Sequence, residues 1–275
     1  MANVLLFREP TAGPSQDRYE TLFNDAGYTA KCVPVLETVH TNVPELGRTV
    51  LRDHEGYSGV VVTSKRSCDA FQEALQGLRG EEGLSKALAS WSALPFYVVG
   101  EATASAVRNV QMAFKDQGFS AVNTLGQASG TGEQLGHFIV KEHPKGGKDL
   151  LYLTGDKNRD TVARLLKDGG ISFRALQVYE TRPLLDFASR LEEAVTVLDQ
   201  GEKEWWIAYF APSSAAFVAP IARAYPVLAS SHIASIGPVT SKFLQHNLGI
   251  AIQVTADKPK PEDLLRAISN YDSGR

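Results

Sequence analysis

Short apolar runs, each closed by a turn signal, punctuate this chain. Residues 4–7, 59–62, 96–99, 150–153, 206–210 and, Ser235 apart, 233–236 are apolar rather than alternating with polar positions. Alternation marks strands with one solvated face, whereas unbroken runs of this length mark strands covered on both faces, as in a parallel sheet flanked by helices. Helical patterns lie between the runs, over residues 17–26, 67–76, 102–110, 132–140, 159–169, 213–224, 240–247 and 261–270. This alternation predicts an α/β protein built from βα units in doubly wound form. Ser213 and Ser214, Thr240 and Ser241, and Pro261-Glu262-Asp263 supply the polar and proline chemistry that opens helices. The charged, glycine-bearing segments 79–86 and 141–148 read as surface loops.

The pattern also occurs twice. LFNDAGYTAKCVPVLET (residues 22–38) is answered by LLKDGGISFRALQVYET (165–181), with Asp25 matching Asp168 and Thr38 matching Thr181 at one constant offset. TSKRSCDAF (63–71) is answered by FAPSSAAFV (210–218), VVGEATASAV (98–107) by SIGPVTSKFL (235–244), and VNTLGQASGTGEQL (122–135) by VTADKPKPEDLL (254–265). A period this long is a duplicated half-molecule rather than a solenoid repeat. Two like halves are expected to face each other across a cleft, the usual place for a small ligand. The residues alone allow two cuts: a tandem one near Gly146, or a swapped one in which the first unit joins the last three. The segments 33–38 and 177–181 occupy equivalent places, run straight into the next unit, and are natural crossovers.

Composition narrows the function classes. At 275 residues, with 43% hydrophobic residues, the chain can build two modest cores. A formal net charge of −3 gives no bias toward nucleic acid or an anionic membrane. Cys32 and Cys68 have no CxxC or histidine-rich company and read as reduced, buried small hydrophobes. Charges directly behind the first apolar run argue against a secretory signal, and no window approaches the apolar length of a membrane span. A cytoplasmic protein is expected.

Familiar catalytic motifs fail one by one. The histidines His40, His54, His137, His143, His232 and His246 show neither HExxH nor metal-ligand spacing. The glycine-rich stretch 126–132 lacks the GK[ST] of a P-loop and the GxGxxG spacing after a strand; it reads as a loop capping the next helix. No GxSxG elbow is present. Trp205 and Trp206 open an apolar strand and read as core.

A different signal repeats. Each short strand runs through a small polar turn into a helix: Thr63-Ser64-Lys65-Arg66-Ser67, Gly100-Glu101-Ala102-Thr103, Gly155-Asp156-Lys157-Asn158-Arg159, Pro212-Ser213-Ser214 and Gly237-Pro238-Val239-Thr240. In doubly wound folds such turns lie at the carboxyl ends of the strands, where ligands bind. Each presents backbone N–H groups and the positive end of a helix dipole. One such turn is ordinary helix capping. Turns matched in pairs across two halves suit a ligand carrying several carboxylates or phosphates.

The ordered series TSKRSCDAF, VVGEATASAV, LLYLTGDKNRDTVARLLKDGGI, VYET, FAPSSAAF and IGPVTSKFL resembles the uroporphyrinogen-III synthase family, most closely eukaryotic, fungal members, over residues 4–268. The resemblance implies two flavodoxin-like α/β domains joined by a two-stranded connection and cut in the swapped way. The first domain would comprise residues 1–36 and 183–275, the second 42–178, with 37–41 and 179–182 as connections. It implies a cyclising hydro-lyase that closes hydroxymethylbilane, a linear tetrapyrrole with eight carboxylates, with loss of water and inversion of the last ring. It further implies a monomer, no metal or organic cofactor, no nucleic-acid or membrane partner, and a place in porphyrin and heme biosynthesis. Carried over residue by residue, Tyr179 in VYET becomes the candidate acid. Thr63, Ser64, Arg66, Gly100, Thr103, Lys157, Arg159, Ser213, Gly237 and Thr240 become substrate-binding candidates. Lys65, Ala211 and Val239 depart from the family's usual proline, serine and threonine. The competing class is a two-domain binding protein without turnover, for which an acid such as Tyr179 would have no use.

Overall fold

The computed structural model describes residues 2–11, 16–157, 160–199, 201 and 203–274. The first part of the chain forms β1 (Asn3–Phe7), α1 (Arg18–Asp25), β2 (Thr29–Val33), β3 (Leu36–His40) and α2 (Val43–Arg52). There follow β4 (Tyr57–Val62), α3 (Lys65–Gly77), α4 (Leu84–Ser92), β5 (Pro95–Val98), α5 (Gly100–Phe114), β6 (Asn123–Leu125) and α6 (Gly132–Glu142). Next are β7 (Asp149–Gly155), α7 (Thr161–Asp168), β8 (Phe173–Pro183) and α8 (Phe187–Leu198). The chain ends with β9 (Trp205–Tyr209), α9 (Pro212–Arg223), β10 (His232–Ser235), α10 (Pro238–Leu248), β11 (Val254–Thr255) and α11 (Pro261–Ser273).

The elements fall into two compact units, Met1–Glu37 with Arg182–Arg275, and Thr38–Thr181. In the first, five strands lie in the order β11-β10-β9-β1-β2, and every pair is parallel. Leu5, Phe7, Ile207 and Tyr209 point to one face, beneath α8, α9 and α10. Val4, Leu6, Trp206 and Ala208 point to the other, beneath α1 and α11. Both faces are therefore dry, which is why these strands read as unbroken apolar runs.

The second unit carries the order β3-β8-β7-β4-β5-β6, with β8, β7, β4, β5 and β6 parallel in sequence of adjacency. Val60, Val62, Phe96, Val98, Leu151 and Leu153 face the layer of α2, α3, α4 and α5. Val61, Tyr97, Leu150 and Tyr152 face α6 and α7. The chain passes between units within β3 and again within β8, and Arg182 Nε bonds Glu37 Oε1 at 2.9 Å beside the two crossings.

Three local readings change. The segment 33–38 is not one strand: Pro34 has no N–H to give a ladder, so β2 stops at Val33 and β3 starts at Leu36. The segment 79–86 is only partly loop, because α4 begins at Leu84, where Leu84, Leu88 and Trp91 form a buried stripe. Trp91 also donates from Nε1 to the Val50 carbonyl at 2.9 Å, tying α4 to α2. The segment 141–148 loses its first two residues to α6. The glycine-rich stretch before α6 does cap it: Thr131 Oγ1 accepts from Gln134 N, and Gln134 Oε1 accepts from Gly130 N at 2.7 Å. Both cysteines are free and buried. No helix among the described residues is long and apolar enough to cross a membrane.

One buried histidine locks the second unit. His143, just past the end of α6, places Nε2 3.1 Å from Ser58 Oγ on β4 and Nδ1 3.0 Å from the Tyr97 hydroxyl on β5. Ser58 commits its own proton to the Lys148 carbonyl at 2.6 Å. It therefore accepts from Nε2–H, which leaves Nδ1 to accept from Tyr97. Burial holds the His143 imidazole below its ordinary pKa of 6.5. The folded state thus resists a proton that the unfolded chain takes up as pH falls through about 6.5, so stability declines over that window. We expect urea unfolding at pH 5.5 and 7.5 to show this decline, and His143→Gln to remove part of it. Equal pH dependence in the two proteins would exclude the assignment.

Candidate active site

In both units the parallel pairing delivers the turns after the strands to one edge of the sheet, so the site is built from helix starts. A helix leaves its first backbone N–H groups without intrahelical acceptors. Several helices here fill that gap from within: Asp17 caps α1, Ser64 caps α3 and Thr131 caps α6. Among those that do not are three at the carboxyl edges of the sheets. The cap positions of α5, α9 and α10 are Val99, Ala211 and Gly237, none of which gives a side-chain cap bond. The serines and threonine expected to cap α9 and α10 lie inside the first turn instead. Ser214 turns back to donate to the Ala211 carbonyl at 3.0 Å, and Thr240 is buried. No acidic residue occupies the first turn of α9 or α10. In α5 the acid is Glu101, which is paired with Arg108. These helix starts keep N–H donors and a positive dipole end for an external anion.

The second unit gathers the larger group. Thr63, Ser64 and Arg66 follow β4, Gly100 and Thr103 follow β5, Lys157 follows β7, and Tyr179 lies on β8. These strands are neighbours in the order β8-β7-β4-β5, so the seven residues share the carboxyl edge of one sheet. Arg66 and Lys157 are exposed, and Thr103 is buried in the first turn of α5. Ser64 spends its hydroxyl on the Arg66 amide at 3.2 Å, which makes it a cap. Gly100 has φ +73°, a left-handed conformation that strains any side chain, so glycine is required where β5 turns into α5. In the first unit Ser213 is exposed after β9, and Gly237 and Thr240 follow the adjacent β10. Arg159 lies outside the described residues.

Tyr179 is placed by a defect in the ladder. Thr154 pairs with Gln177, but the next partner of Gly155 is Tyr179, so β8 carries one extra residue at this point. Such a bulge re-aims side chains, and here the Tyr179 ring lies across Gly155. A Cβ on Gly155 would fall 2.3 Å from the Tyr179 ring. Asp156 clamps the same strand, its amide bonding the Tyr179 carbonyl at 3.1 Å and its Oδ1 accepting from Thr181 N at 3.0 Å. The Arg66 guanidinium lies 5.9 Å from the ring centroid, within cation–π range.

The comparisons with known proteins decide the family. The model of the family described as Uroporphyrinogen-III synthase HemD matches residues 17–266. The chain belongs to that family. It is 29% identical over 280 residues to the uroporphyrinogen-III synthase of Saccharomyces cerevisiae, covering 98% of this chain and 96% of the relative. It is 28% identical over 274 residues to that of Schizosaccharomyces pombe, covering 99% and 98%. Among solved structures, uroporphyrinogen-III synthetase from Helicobacter pylori aligns with a TM-score of 0.53 at 20% identity, over 98% of this chain and 99% of that one. That last likeness speaks to the fold alone, two α/β units with parallel sheets.

Two features of the site were not read from the sequence. Gly155 and Asp156 looked like part of a ligand turn, whereas they seat Tyr179 and its strand; the glycine before an acid was the available signal. Arg8, directly after β1, was passed over because no motif contains it. Its guanidinium reaches Asp17 Oδ2 at 2.7 Å and lies 4.6 Å from the Tyr19 ring centroid and 5.6 Å from that of Phe210. Burial opposes charge on Asp17, but hydrogen bonds from Arg8 and from Thr11 outweigh it and hold the carboxyl well below the usual range. For Gly155→Ala we expect the Tyr179 ring to be displaced, with turnover reduced at least tenfold and a stability loss of about 1–3 kcal/mol from overpacking. Gly77→Ala, where an added Cβ meets open space, serves as the silent control. Wild-type turnover in Gly155→Ala would show that the ring's position is irrelevant.

Proposed function

We propose that this chain closes hydroxymethylbilane to uroporphyrinogen III, with loss of water and inversion of the last pyrrole ring, as a cyclising hydro-lyase of porphyrin and heme biosynthesis. The observation that carries the reading is the family match over residues 17–266, which takes in both units and every candidate residue. A protein that only bound its ligand would not call for Tyr179 seated by a bulge, a glycine and an aspartate. The substrate's eight carboxylates call for many distributed donors rather than one cationic pocket. The uncapped starts of α5, α9 and α10, with Arg66 and Lys157, supply donors of that kind while the chain as a whole stays slightly acidic.

The chemistry asks for placement more than force. Hydroxymethylbilane cyclises unaided to the uninverted product, so the enzyme must hold the inverted geometry and keep the reacting ends together. Fixed amide dipoles do this without reorganising as charge develops. Loss of water requires a proton for the departing hydroxyl, and Tyr179 is the donor we assign. The Arg66 guanidinium lies within cation–π range of its ring and is a further cation for a substrate carboxylate. Thr63, Thr103, Ser213 and Thr240 serve as binding residues beside the amides, and Ser64 acts by fixing the start of α3. The protein is proposed to act as a monomer in the cytoplasm, without a metal or organic cofactor.

The test is to incubate the protein with freshly generated hydroxymethylbilane and to separate type III from type I isomers after oxidation. Wild-type protein is expected to give type III. Tyr179→Phe removes one oxygen and keeps the ring over Gly155, so its stability should match wild type while type III formation falls on the order of 100-fold. Thr103→Ala and Thr240→Ala should each cost about fivefold, since one hydrogen bond is lost and neighbouring amides remain. Type III formation by Tyr179→Phe at the wild-type rate would remove the acid role. Type I product alone from the wild-type protein would overturn the whole reading.

A further inference from the structure

The first unit has a topological switch point between β1 and β9, of which the site described above takes only the α9 side. From β1 the chain leaves through α1, which packs on the face lined by Val4 and Leu6. From the adjacent β9 it leaves through α9, which packs on the opposite face with Leu5 and Phe7. Helices departing to opposite sides open a crevice outside the carboxyl ends of those two strands, the place where open α/β sheets take their ligands. Phe7 is in register with Tyr209, so the next residues on each strand, Arg8 and Phe210, flank that crevice.

Arg8 is set there with unusual care. Asp17, almost wholly buried, accepts one terminal nitrogen at 2.7 Å, and the same nitrogen lies 3.5 Å from the Cys32 sulfur. The rings of Tyr19 and Phe210, themselves edge-to-face at 5.2 Å, stand against the guanidinium. Asp17 is already shared among the amides of Thr11, Tyr19 and Glu20. Among the described residues, Nε and the second terminal nitrogen of Arg8 meet no acceptor, and the side chain keeps 20% of its exposure. A guanidinium held flat with one edge unspent is preorganised for a carboxylate, because its rotamer entropy is already lost.

The duplication points the same way. The strands β1 and β7 each precede the repeated segment, 22–38 in one half and 165–181 in the other. In the second unit the switch point lies between β7 and β4, since α7 and α3 pack on opposite faces of that sheet. Lys157 follows β7 there as Arg8 follows β1. Both halves therefore place a cation shortly after a strand that borders their switch point.

We infer that Arg8 is a carboxylate-binding residue of the first unit, contacting a side-chain carboxylate of the tetrapyrrole at the crevice between β1 and β9; this rests on the function proposed above. Three variants test it: Arg8→Gln, Arg8→Lys and the double variant Arg8→Gln/Asp17→Asn. The double variant leaves net charge unchanged and no unpaired buried carboxylate, so it keeps the test open where Arg8→Gln alone fails to fold. Binding of uroporphyrin III, the stable oxidised octacarboxylate, is read by quenching of tryptophan fluorescence, with thermal melts and type III formation measured in parallel. Loss of one charge-assisted contact predicts affinity weakened on the order of tenfold in the double variant, with Arg8→Lys in between. A folded double variant that binds within twofold of a wild-type enzyme still making type III product would leave the function standing and reduce Arg8 to a counter-ion for Asp17. Wild-type protein that neither cyclises hydroxymethylbilane nor binds uroporphyrin III would overturn the function and this inference with it.

Discussion

Because the central strands of both units are hydrogen-bonded in parallel, each must be followed by a crossover back to the opposite end of its sheet, and the crossovers here are helices. A helix that directly follows one of these strands then begins at the carboxyl edge of its sheet, with its positive dipole end directed outward. The candidate chemistry of the molecule follows from that single arrangement. It explains how a chain with a formal charge of −3 can present a surface suited to a polyanion: the favourable potential comes from oriented peptide groups, and few lysines or arginines are needed. What varies from helix to helix is whether the protein satisfies its own amides. Asp17, Ser64 and Thr131 do so, while Val99, Ala211 and Gly237 do not. Leaving a cap empty costs about 1 kcal/mol of helix stability relative to a good cap. Eight of the eleven described helices carry that cost, α5, α9 and α10 at the carboxyl edges of the sheets among them.

The duplicated halves share this plan and differ in how they hold their special side chains. In the second unit a one-residue bulge, a glycine without room for a methyl group and an aspartate clamp together fix Tyr179. In the first unit the organising group is a carboxylate: Asp17 gathers Arg8, the amides of Thr11 and Tyr19, and the start of α1 into one buried cluster. Each solution replaces a flexible residue by one whose rotamer is set before a ligand arrives, which is what a reaction dominated by positioning requires.

The two cysteines and the histidines illustrate the opposite case, reactive side chains spent on structure. Burial pushes the Cys68 thiol up to about 12, and burial does the same more strongly to Cys32, so neither is a thiolate near neutral pH. His143 joins two strands to the end of α6 through Ser58 and Tyr97, an array that resembles a nucleophile and its base until the Ser58 proton is traced to the Lys148 carbonyl.

Much of this was legible in the chain. Short apolar runs closed by turn signals and separated by helical patterns read as strands with two covered faces, so the α/β class and the six central strands were legible, and the repeated segments exposed the duplication. The turns after those strands could be named because strand-to-helix turns carry a polar signature. Pairing across distance could not be read. The bulge opposite Gly155 exists only where β7 meets β8, and the rank of Arg8 depends on β9, some two hundred residues away in the chain, lying beside β1 with its helix on the other face. Helix starts, likewise, looked capped from composition, yet Ser213, Ser214 and Thr240 fall one or more residues inside the first turn, where a hydroxyl cannot reach the orphan amides. Local solvation preferences are written in the order of residues; which strand neighbours which, and in what register, is decided by packing two sheet faces at once, and only the tertiary structure holds that answer.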